Sequence, residues 1–483
     1  MVRRLKYKIF FLGSLGLFAS SAQAETLRDA LSKAYATNPT LTGARAGQRA
    51  NDENVPIAKA RGLPGLDLSG AYTENLQTSS SASPTRQVAG RLNFDVPIYQ
   101  GGAVRNAISA ADSRVDAGQA NLRGTEASVF SQVVAAYMDV LRDEAIVGLN
   151  RNQVKVLKTN LEATRDRFEV GDLTRTDIAQ SESRLAVAQS QYEGAESNLI
   201  ASRERYVELV GDEPGNLQQP PPLPNLPEAP DLAMEKALAS NPDLIAAKKN
   251  QDAARFDVGS ARAARLPRVS LVADKSYANF LNSLQSFIPG FNTSQTSENA
   301  SAGVQLTLPL YQGGAPSAQV RQAQARSSQA IEQVIATERG IVAQTRSAFA
   351  SLRASNAVIA SSEAAVAATA LALEGVRAEN TVGNRSILDI LDAEQEHLNA
   401  QVQLVSARRN AYVAGFTLLA AMGQAEARDL GLDGGALYDP ETNYKRVRNI
   451  IWDWDSDPKP KPVATRTVDT PAQNPSVKDD TGR

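Results

Sequence analysis

Two periodicities divide this 483-residue chain. Leu66-Asp67-Leu68-Ser69-Gly70-Ala71-Tyr72 alternates apolar and polar positions, and Arg91-Leu92-Asn93-Phe94-Asp95-Val96-Pro97-Ile98 does the same after a Ser-rich turn at 78–83. Period two predicts a β-hairpin over 66–98. From 103 to 169 the character changes: there is no proline, alanine is abundant, and Val133, Val140, Val147, Val154, Leu161 and Phe168 recur every seventh residue. A heptad seam of that length predicts a coiled-coil rod. Its 67 residues would span about 100 Å at 1.5 Å per residue. Val170-Gly171 ends the rod, and a second helix of about 38 residues returns to Gly211.

The pattern then repeats. Asn38-Pro39-Thr40-Leu41 recurs as Asn241-Pro242-Asp243-Leu244, and Leu63-Pro64 as Leu266-Pro267, at an offset of 203. Pro97-Ile98-Tyr99-Gln100-Gly101-Gly102 recurs as Pro309-Leu310-Tyr311-Gln312-Gly313-Gly314 at an offset of 212, so the second copy is nine residues longer between these landmarks. Beyond them the offset holds: Val170-Gly171 matches Val382-Gly383 and Asp177 matches Asp389, while Leu352, Ile359, Val366 and Leu373 continue the heptad. The organisation expected is a first repeat at 25–217 with long helices at 103–210, a proline-rich stiff linker at 218–230, and a second repeat at 231–425 with a hairpin over 268–310 and long helices at 315–422. An extension at 426–454 and a disordered tail at 455–483, rich in Pro, Lys, Asp and Thr, complete the chain.

In each repeat Asn38 or Asn241 is a good N-cap with proline in the first helical position, so a helix is predicted from there to Leu63 and its counterpart. The second hairpin is read as strands at 268–278 and 302–310 around a polar loop containing 292–299. Pro97 and Pro309 lack a ladder N–H, and the pairs Gly101-Gly102 and Gly313-Gly314 permit unusual backbone angles, so strand pairing is expected to stop there and the chain to redirect into the rods.

Composition narrows the setting. Arg3, Arg4, Lys6 and Lys8, an apolar run at 9–18 and Ala22-Gln23-Ala24 form the layout of a secretory signal cleaved before Glu25. With four of the 51 basic residues and none of the 53 acids in this leader, the remainder carries 47 against 53, which offers no electrostatic case for nucleic acid. There is no cysteine, hence no disulfide, thiolate chemistry or lipidated N-terminal cysteine. After the leader no run of about 18 apolar residues is found, so a membrane portion has to be a β-barrel, with Leu92, Phe94, Val96 and Ile98 facing lipid and Arg91, Asn93 and Asp95 facing water. Four strands cannot close a barrel; two chains would give eight strands filled by their own side chains, and three give twelve and a conduit.

Enzyme chemistry finds no foothold in the sequence motifs. His397 is the single histidine and is expected at the solvated surface; no nucleophile elbow, phosphate-binding loop or Cys/His metal spacing occurs, and no cofactor is implied. A soluble periplasmic coiled-coil adaptor is the alternative, although it would have no need for two alternating hairpins.

The duplicated Asn-Pro-x-Leu starts, the two Pro-x-Tyr-Gln-Gly-Gly junctions, and Val-Gly followed six residues after the glycine by Asp177 or Asp389 resemble the TolC family of outer-membrane efflux and secretion channels, over 25–451. The stretch 432–454, with Tyr438-Asp439-Pro440, looks like the extension of members serving type I secretion. The resemblance implies a homotrimer with one twelve-stranded barrel in outer-membrane lipid, a twelve-helix periplasmic tunnel, and docking onto a periplasmic adaptor and an inner-membrane pump or ABC exporter. It places a constriction at Thr176, Asp177 and Arg385, with Asn380 standing where the family has tyrosine. Asp389 and Asp392, three apart on one helix face, would form carboxylate rings about a threefold axis. Val170, Gly171, Asp172, Val382, Gly383 and Asn384 would be the adaptor-contact tips. Thr174-x-x-Asp177 and Ser386-x-x-Asp389 also have capping-box spacing, a role compatible with gating.

Overall fold

The structure, a computed structural model, describes residues 25–77, 83–284, 293–432 and 437–477. The leader, both hairpin turns and the last six residues of the tail lie outside them. The first repeat contains α1 (Leu27–Thr37), α2 (Pro39–Asp52), α3 (Asn54–Ala60), β1 (Gly65–Glu74), β2 (Arg86–Gln100), α4 (Ala103–Glu169) and α5 (Arg175–Val210). The second contains α6 (Pro230–Ser240), α7 (Pro242–Ala263), β3 (Arg268–Asn279), β4 (Thr296–Thr307), α8 (Ala315–Thr381) and α9 (Ile387–Ala421), and α10 (Pro440–Val447) follows.

Both rods, α4 and α8, are 67 residues long. Along α4 the heptad residues Val133, Val140, Val147 and Leu161 are buried, Val154 is half-buried and Phe168, next to the tip, is exposed. Asn38 accepts from the N–H groups of Thr40 and Leu41, and its amide donates to the Leu209 carbonyl at the end of α5 (2.8 Å). Asn241 repeats both roles, reaching the Ala421 carbonyl of α9 at 3.0 Å. Each asparagine therefore satisfies open N–H groups at one helix start and an open carbonyl at another helix end. The hydrophobic pattern does not predict α1 or α6, which precede these asparagines. The expected single helix from 39 to 63 is broken at Glu53, because Pro56 removes an amide donor and crowds the preceding turn; the second copy has Gly259 at that place and α7 runs unbroken.

The strands form one antiparallel sheet in the order β1-β2-β3-β4, so among the described residues both outer edges are open. Register separates the two faces. Leu66, Phe94, Ala273 and Ala302 share one row across the sheet; the next row is Asp67, Asn93, Asp274 and Ser301 on the other face. On the polar face Asn93 donates to Asp67 (3.3 Å) and Ser301 donates to Asp274. The apolar face carries Tyr99 paired with Val269 at one end and Tyr277 eight residues further along β3, about 26 Å at roughly 3.3 Å per residue. At the roughly 35–45° tilt of barrel strands this is about 20 Å of height, which approaches the apolar band of about 25 Å that aromatic residues border in outer-membrane barrels.

Three strand details differ from the sequence reading. Pro97 does not stop β2, which continues to Gln100 through a bulge between Pro97 and Tyr99. β1 ends its pairing at Asp95, so Pro97 has a neighbour on one side only, where a missing N–H is tolerated. Ile98 is the extra residue of the bulge and Tyr99 resumes the apolar row. β4 begins at Thr296 and ends at Thr307, taking in polar residues expected in the loop because the ladder with β3 extends to Asn279, and stopping two residues before Pro309.

The largest fully buried side chains, among them Tyr137, Tyr206, Phe130 and Phe416, gather halfway along the rods, where α1, α4, α5 and α9 meet. Residues 218–229 are packed rather than a free spacer: Leu223 and Leu226 rest on this core and the segment walls a cavity of about 630 Å³ with Leu27, Tyr412 and Phe416. Tail residues up to 477 have no helix or strand, but Arg203 of α5 donates to the carbonyls of Asn474 and Ser476 and Glu204 accepts from the N–H of Gln473, so this stretch is tied to the helices.

Candidate functional site

The rods end in two turns of the same construction. At the end of α4, Gly171 has φ +89°, its N–H donates to the Phe168 carbonyl at 3.0 Å, and that of Asp172 donates to Arg167 at 2.9 Å. At the end of α8, Gly383 has φ +78°, bonding Asn380 at 3.0 Å while Asn384 bonds Glu379 at 3.0 Å. This paired closure needs a left-handed residue, which glycine supplies without strain. Val170 and Val382 are left 75% and 70% exposed at the apices, apolar side chains that none of the described residues covers.

Both return helices begin with a capping box. Thr174 N–H donates to Asp177 (2.8 Å) while Thr174 Oγ1 accepts from Asp177 N–H, and Ser386 with Asp389 repeats this. These bonds hold both carboxyls below the usual carboxylate range. Asp177 and Asp389 are thus caps, and Thr176 beside the first is exposed. Arg385 turns to its own hairpin, where Glu379 receives its Nε at 2.7 Å and Asp389 lies at 4.0 Å from Nη1; the Glu379 carboxylate raises the guanidinium's proton affinity further. Within a single chain, among the described residues, Arg385 does not reach Thr176 or Asp177. Asn380 donates to the Arg385 carbonyl (2.7 Å), fastening the turn locally instead of spanning to another helix.

Asp392 is not an isolated carboxylate: Arg184 of α5 donates to it, joining the two hairpins. A second set of ion pairs has no motif of its own in the sequence. Arg165 pairs with Glu182 (2.7 Å), and the same pair, displaced by the repeat offset of 212, is Arg377 with Glu394 (3.0 Å). In the first repeat both side chains are half-exposed, whereas Glu394 is buried and also accepts from Asn160 of α4 at 3.0 and 3.1 Å. The duplication was the available signal, since applying the known offset to either pair yields the other.

His397 is not at the solvated surface. It lies half-buried between α8 and α9, with Nδ1 3.0 Å from Thr369 Oγ1 and Nε2 3.0 Å from Gln401 Nε2. Thr369 gives its own hydroxyl proton to the Ala365 carbonyl (2.8 Å) and the Gln401 amide is a donor, so the bonds fit a neutral ring protonated at Nδ1. Among the described residues no three acids or histidines converge as metal ligands.

The opposite ends of the rods meet the sheet at Gly101-Gly102 and Gly313-Gly314, all four with positive φ, immediately before α4 and α8. A polar-lined, apolar-faced sheet thus continues into coiled-coil rods of about 100 Å that close in paired turns.

Known proteins share this arrangement. A family model described as Outer membrane efflux protein matches residues 30–212 and 233–424, one match per repeat. The chain is 34% identical over 435 residues to the outer membrane efflux protein BepC of Brucella suis biovar 1, covering 90% of this chain and 92% of that one. It is 27% identical to the proteases secretion protein PrtF of Dickeya chrysanthemi over 86% of this chain and 92% of that one. The crystal structure of the Campylobacter jejuni CmeC outer membrane channel superposes with a TM-score of 0.71 at 20% identity, covering 88% of this chain and 89% of that one. The chain belongs to the outer membrane efflux protein family: it is an outer-membrane channel with a periplasmic helical tunnel, and not a soluble adaptor.

Proposed function

We propose that three copies of this chain, exported by the leader at 1–24 and cleaved before Glu25, assemble into one passive exit duct serving a tripartite efflux pump or a type I secretion system. The observation that carries this reading is the open four-stranded sheet. Among the described residues β1 and β4 each present an unpaired edge, one face is largely apolar with Lys275 and Glu298 as its charged exceptions, and four strands are too few to close on themselves. Joining β4 of one copy to β1 of the next removes every edge and produces twelve strands. α8 supports the same assembly, since its long apolar surface is largely uncovered in the single chain.

In this assembly Val170, Gly171, Asp172, Val382, Gly383 and Asn384 meet a periplasmic adaptor, which links the tunnel to an inner-membrane pump or ABC exporter. Thr176, Asp177, Arg385, Asp389 and Asp392 line the narrow end near those tips, where Asp389 and Asp392 of three copies attract cations. The resemblance to a protein named for efflux and to one named for protease secretion supports a conduit role and leaves the cargo to be assigned by a deletion strain assayed for both drug sensitivity and loss of a secreted protein. Assembly is tested with engineered cysteines, which the chain otherwise lacks. A cysteine at Val304 on β4 combined with cysteines scanned along β1 should give oxidation-dependent dimers and trimers in outer membranes. Monomers at every scanned position would overturn the shared barrel.

A further inference from the structure

The chain's two tryptophans, Trp452 and Trp454, are 71% and 86% exposed, and Ile451 beside them is 76% exposed. Tryptophan is seldom left in water without a reason, and here the loop that carries both is built. Arg446 closes it with two bonds to Asp457, at 3.0 and 3.1 Å, and the Asp455 N–H donates to the Trp452 carbonyl at 3.3 Å, making a turn at the apex. Lys59 of α3 fixes its near limb through the Arg448 carbonyl (2.8 Å) and Asn449 Oδ1 (3.2 Å), and Val447 is buried.

Those contacts also give the direction. Asn443 of α10 is bonded to Asp52 at the end of α2, and Arg448 and Asn449 are bonded to Lys59 at the end of α3. The chain from Asp52 to Lys59 is heading for β1, which starts at Gly65, so α10 runs alongside it toward the sheet. The apex of the loop follows Asn449 beside the last turn of α3, and its far limb returns toward Glu53 at the α2–α3 junction, where Arg446 holds Asp457; the tunnel-side rim of the barrel, where β1 starts at Gly65, lies just past Lys59 along the chain. That rim already carries exposed apolar residues: Ile98, Tyr99, Leu310 and Tyr311.

We propose that Ile451, Trp452 and Trp454 are an interfacial anchor that docks into the periplasmic leaflet of the outer membrane, at the boundary between phospholipid headgroups and acyl chains. Tryptophan has an apolar body and one N–H donor, and it concentrates at that boundary. The loop extends the lipid-facing surface of the barrel beyond the end of the strands, and the three anchors of a trimer would restrain its tilt. The aspartates at 453 and 455 and the clamped Asp457 make the loop acidic, so attraction to anionic headgroups is not the source of binding. The inference rests on the sheet lying in the membrane.

Because these are the only tryptophans, emission excited at the red edge of the absorption band, where the twelve tyrosines do not absorb, reads this loop alone. The assembled full-length protein is placed in detergent, in phosphatidylcholine vesicles, and in vesicles of phosphatidylcholine brominated either near the glycerol end or near the methyl end of its acyl chains. In vesicles the emission should shift to the blue, and iodide quenching should fall at least about twofold relative to a denatured sample. Bromine near the glycerol end should quench more strongly than bromine near the methyl end. Trp452→Phe and Trp454→Phe, each leaving one reporter, should both retain this order, and Arg446→Ala, which opens the loop, should weaken it. Strong iodide quenching with no bromine quenching would overturn the anchor. So would protection from iodide in both detergent and vesicles without bromine quenching, which would mean that a second copy covers the loop. A control with Phe94→Trp in a background of Trp452→Phe and Trp454→Phe tests the premise separately: bromine quenching there with none at the native tryptophans sinks the anchor alone, whereas none at either site sinks the membrane placement of the sheet.

Discussion

The repeated ion pair offers a direct test of how burial weights an interaction. Arg377 with Glu394 and Arg165 with Glu182 are the same chemistry at equivalent places, but the Glu394 side chain is 2% exposed and that of Glu182 is 50% exposed. Glu394→Gln preserves volume and removes the charge that accepts from Asn160 and Arg377. A hydrogen bond to a charged group contributes about 1.5–3 kcal/mol. Arg377 is half-exposed and regains water on losing its partner, so its share is discounted to less than about 1 kcal/mol. A cost of about 2 kcal/mol follows, or about 30-fold in the equilibrium for local opening of the second hairpin. Glu182→Gln loses a solvated pair and should cost no more than about 1 kcal/mol, about fivefold. Hydrogen exchange on the assembled channel reads both: amides at 391–398 should accelerate about 30-fold in Glu394→Gln, and those at 179–186 by no more than about fivefold in Glu182→Gln. Equal acceleration in the two variants, or none in Glu394→Gln, would refute the reasoning that burial under α4 separates them.

At the constriction, Asp389→Ala combined with Asp392→Ala should lower cation preference and divalent block in planar bilayers, while Arg184→Gln, which frees the Asp392 carboxylate, should raise cation preference; unchanged selectivity in all of them would place the constriction elsewhere. Arg385→Ser should raise conductance by releasing Glu379 and Asp389. Gly171→Pro and Gly383→Pro impose φ near −65° where +89° and +78° are required, so export should be lost while trimers persist in the outer membrane, as read by fractionation. Asp177 and Asp389 have folded values below their ordinary 3.8, so their capping stabilisation is present above that pH and is lost as pH falls through the folded values. Burial raises Glu126 and Glu426 above their ordinary 4.5, so acidification through their folded values should stabilise the contact of the 426–427 segment with α4. Exchange rates corrected for intrinsic pH dependence should therefore move in opposite directions at the tips and at this contact.

Much of this architecture follows from local rules that need no tertiary information. A seven-residue apolar repeat without proline dictates the rods and their length, Val-Gly dictates where they turn, and Thr174 and Ser386 three residues before an aspartate dictate where the return helices start. Period-two alternation likewise separates the apolar and polar faces of β2, because successive side chains must point to opposite sides of a strand. The duplication adds the expectation that each feature occurs twice. Where single residues act against their nearest neighbours, as in the tip turns at Gly171 and Gly383, sequence and structure agree.

Other features depend on what a second element brings. Ladder bonds with β3 draw Thr296, Ser297, Glu298 and Asn299 into β4 although their polarity argues for a loop. The absence of a β1 partner beyond Asp95 lets β2 carry Pro97. Asn38 and Asn241 are recognisable as caps, but their second bond, to the end of a helix some 170 or more residues away, exists only after the rods have folded back. His397 reads as a surface residue until α8 is laid beside α9. The rods with their lengths, the tip turns and the repetition are therefore legible in the sequence, whereas α1, α6, the break after α2 and the strand bounds are not, because the former arise from interactions within a few residues or from a period. Only the packing of the folded chain fixes which member of each duplicated pair is buried, that Asp392 meets Arg184, and that the tryptophan loop is tied to α3, because burial and charge pairing are set by neighbours that are close in space and distant along the chain.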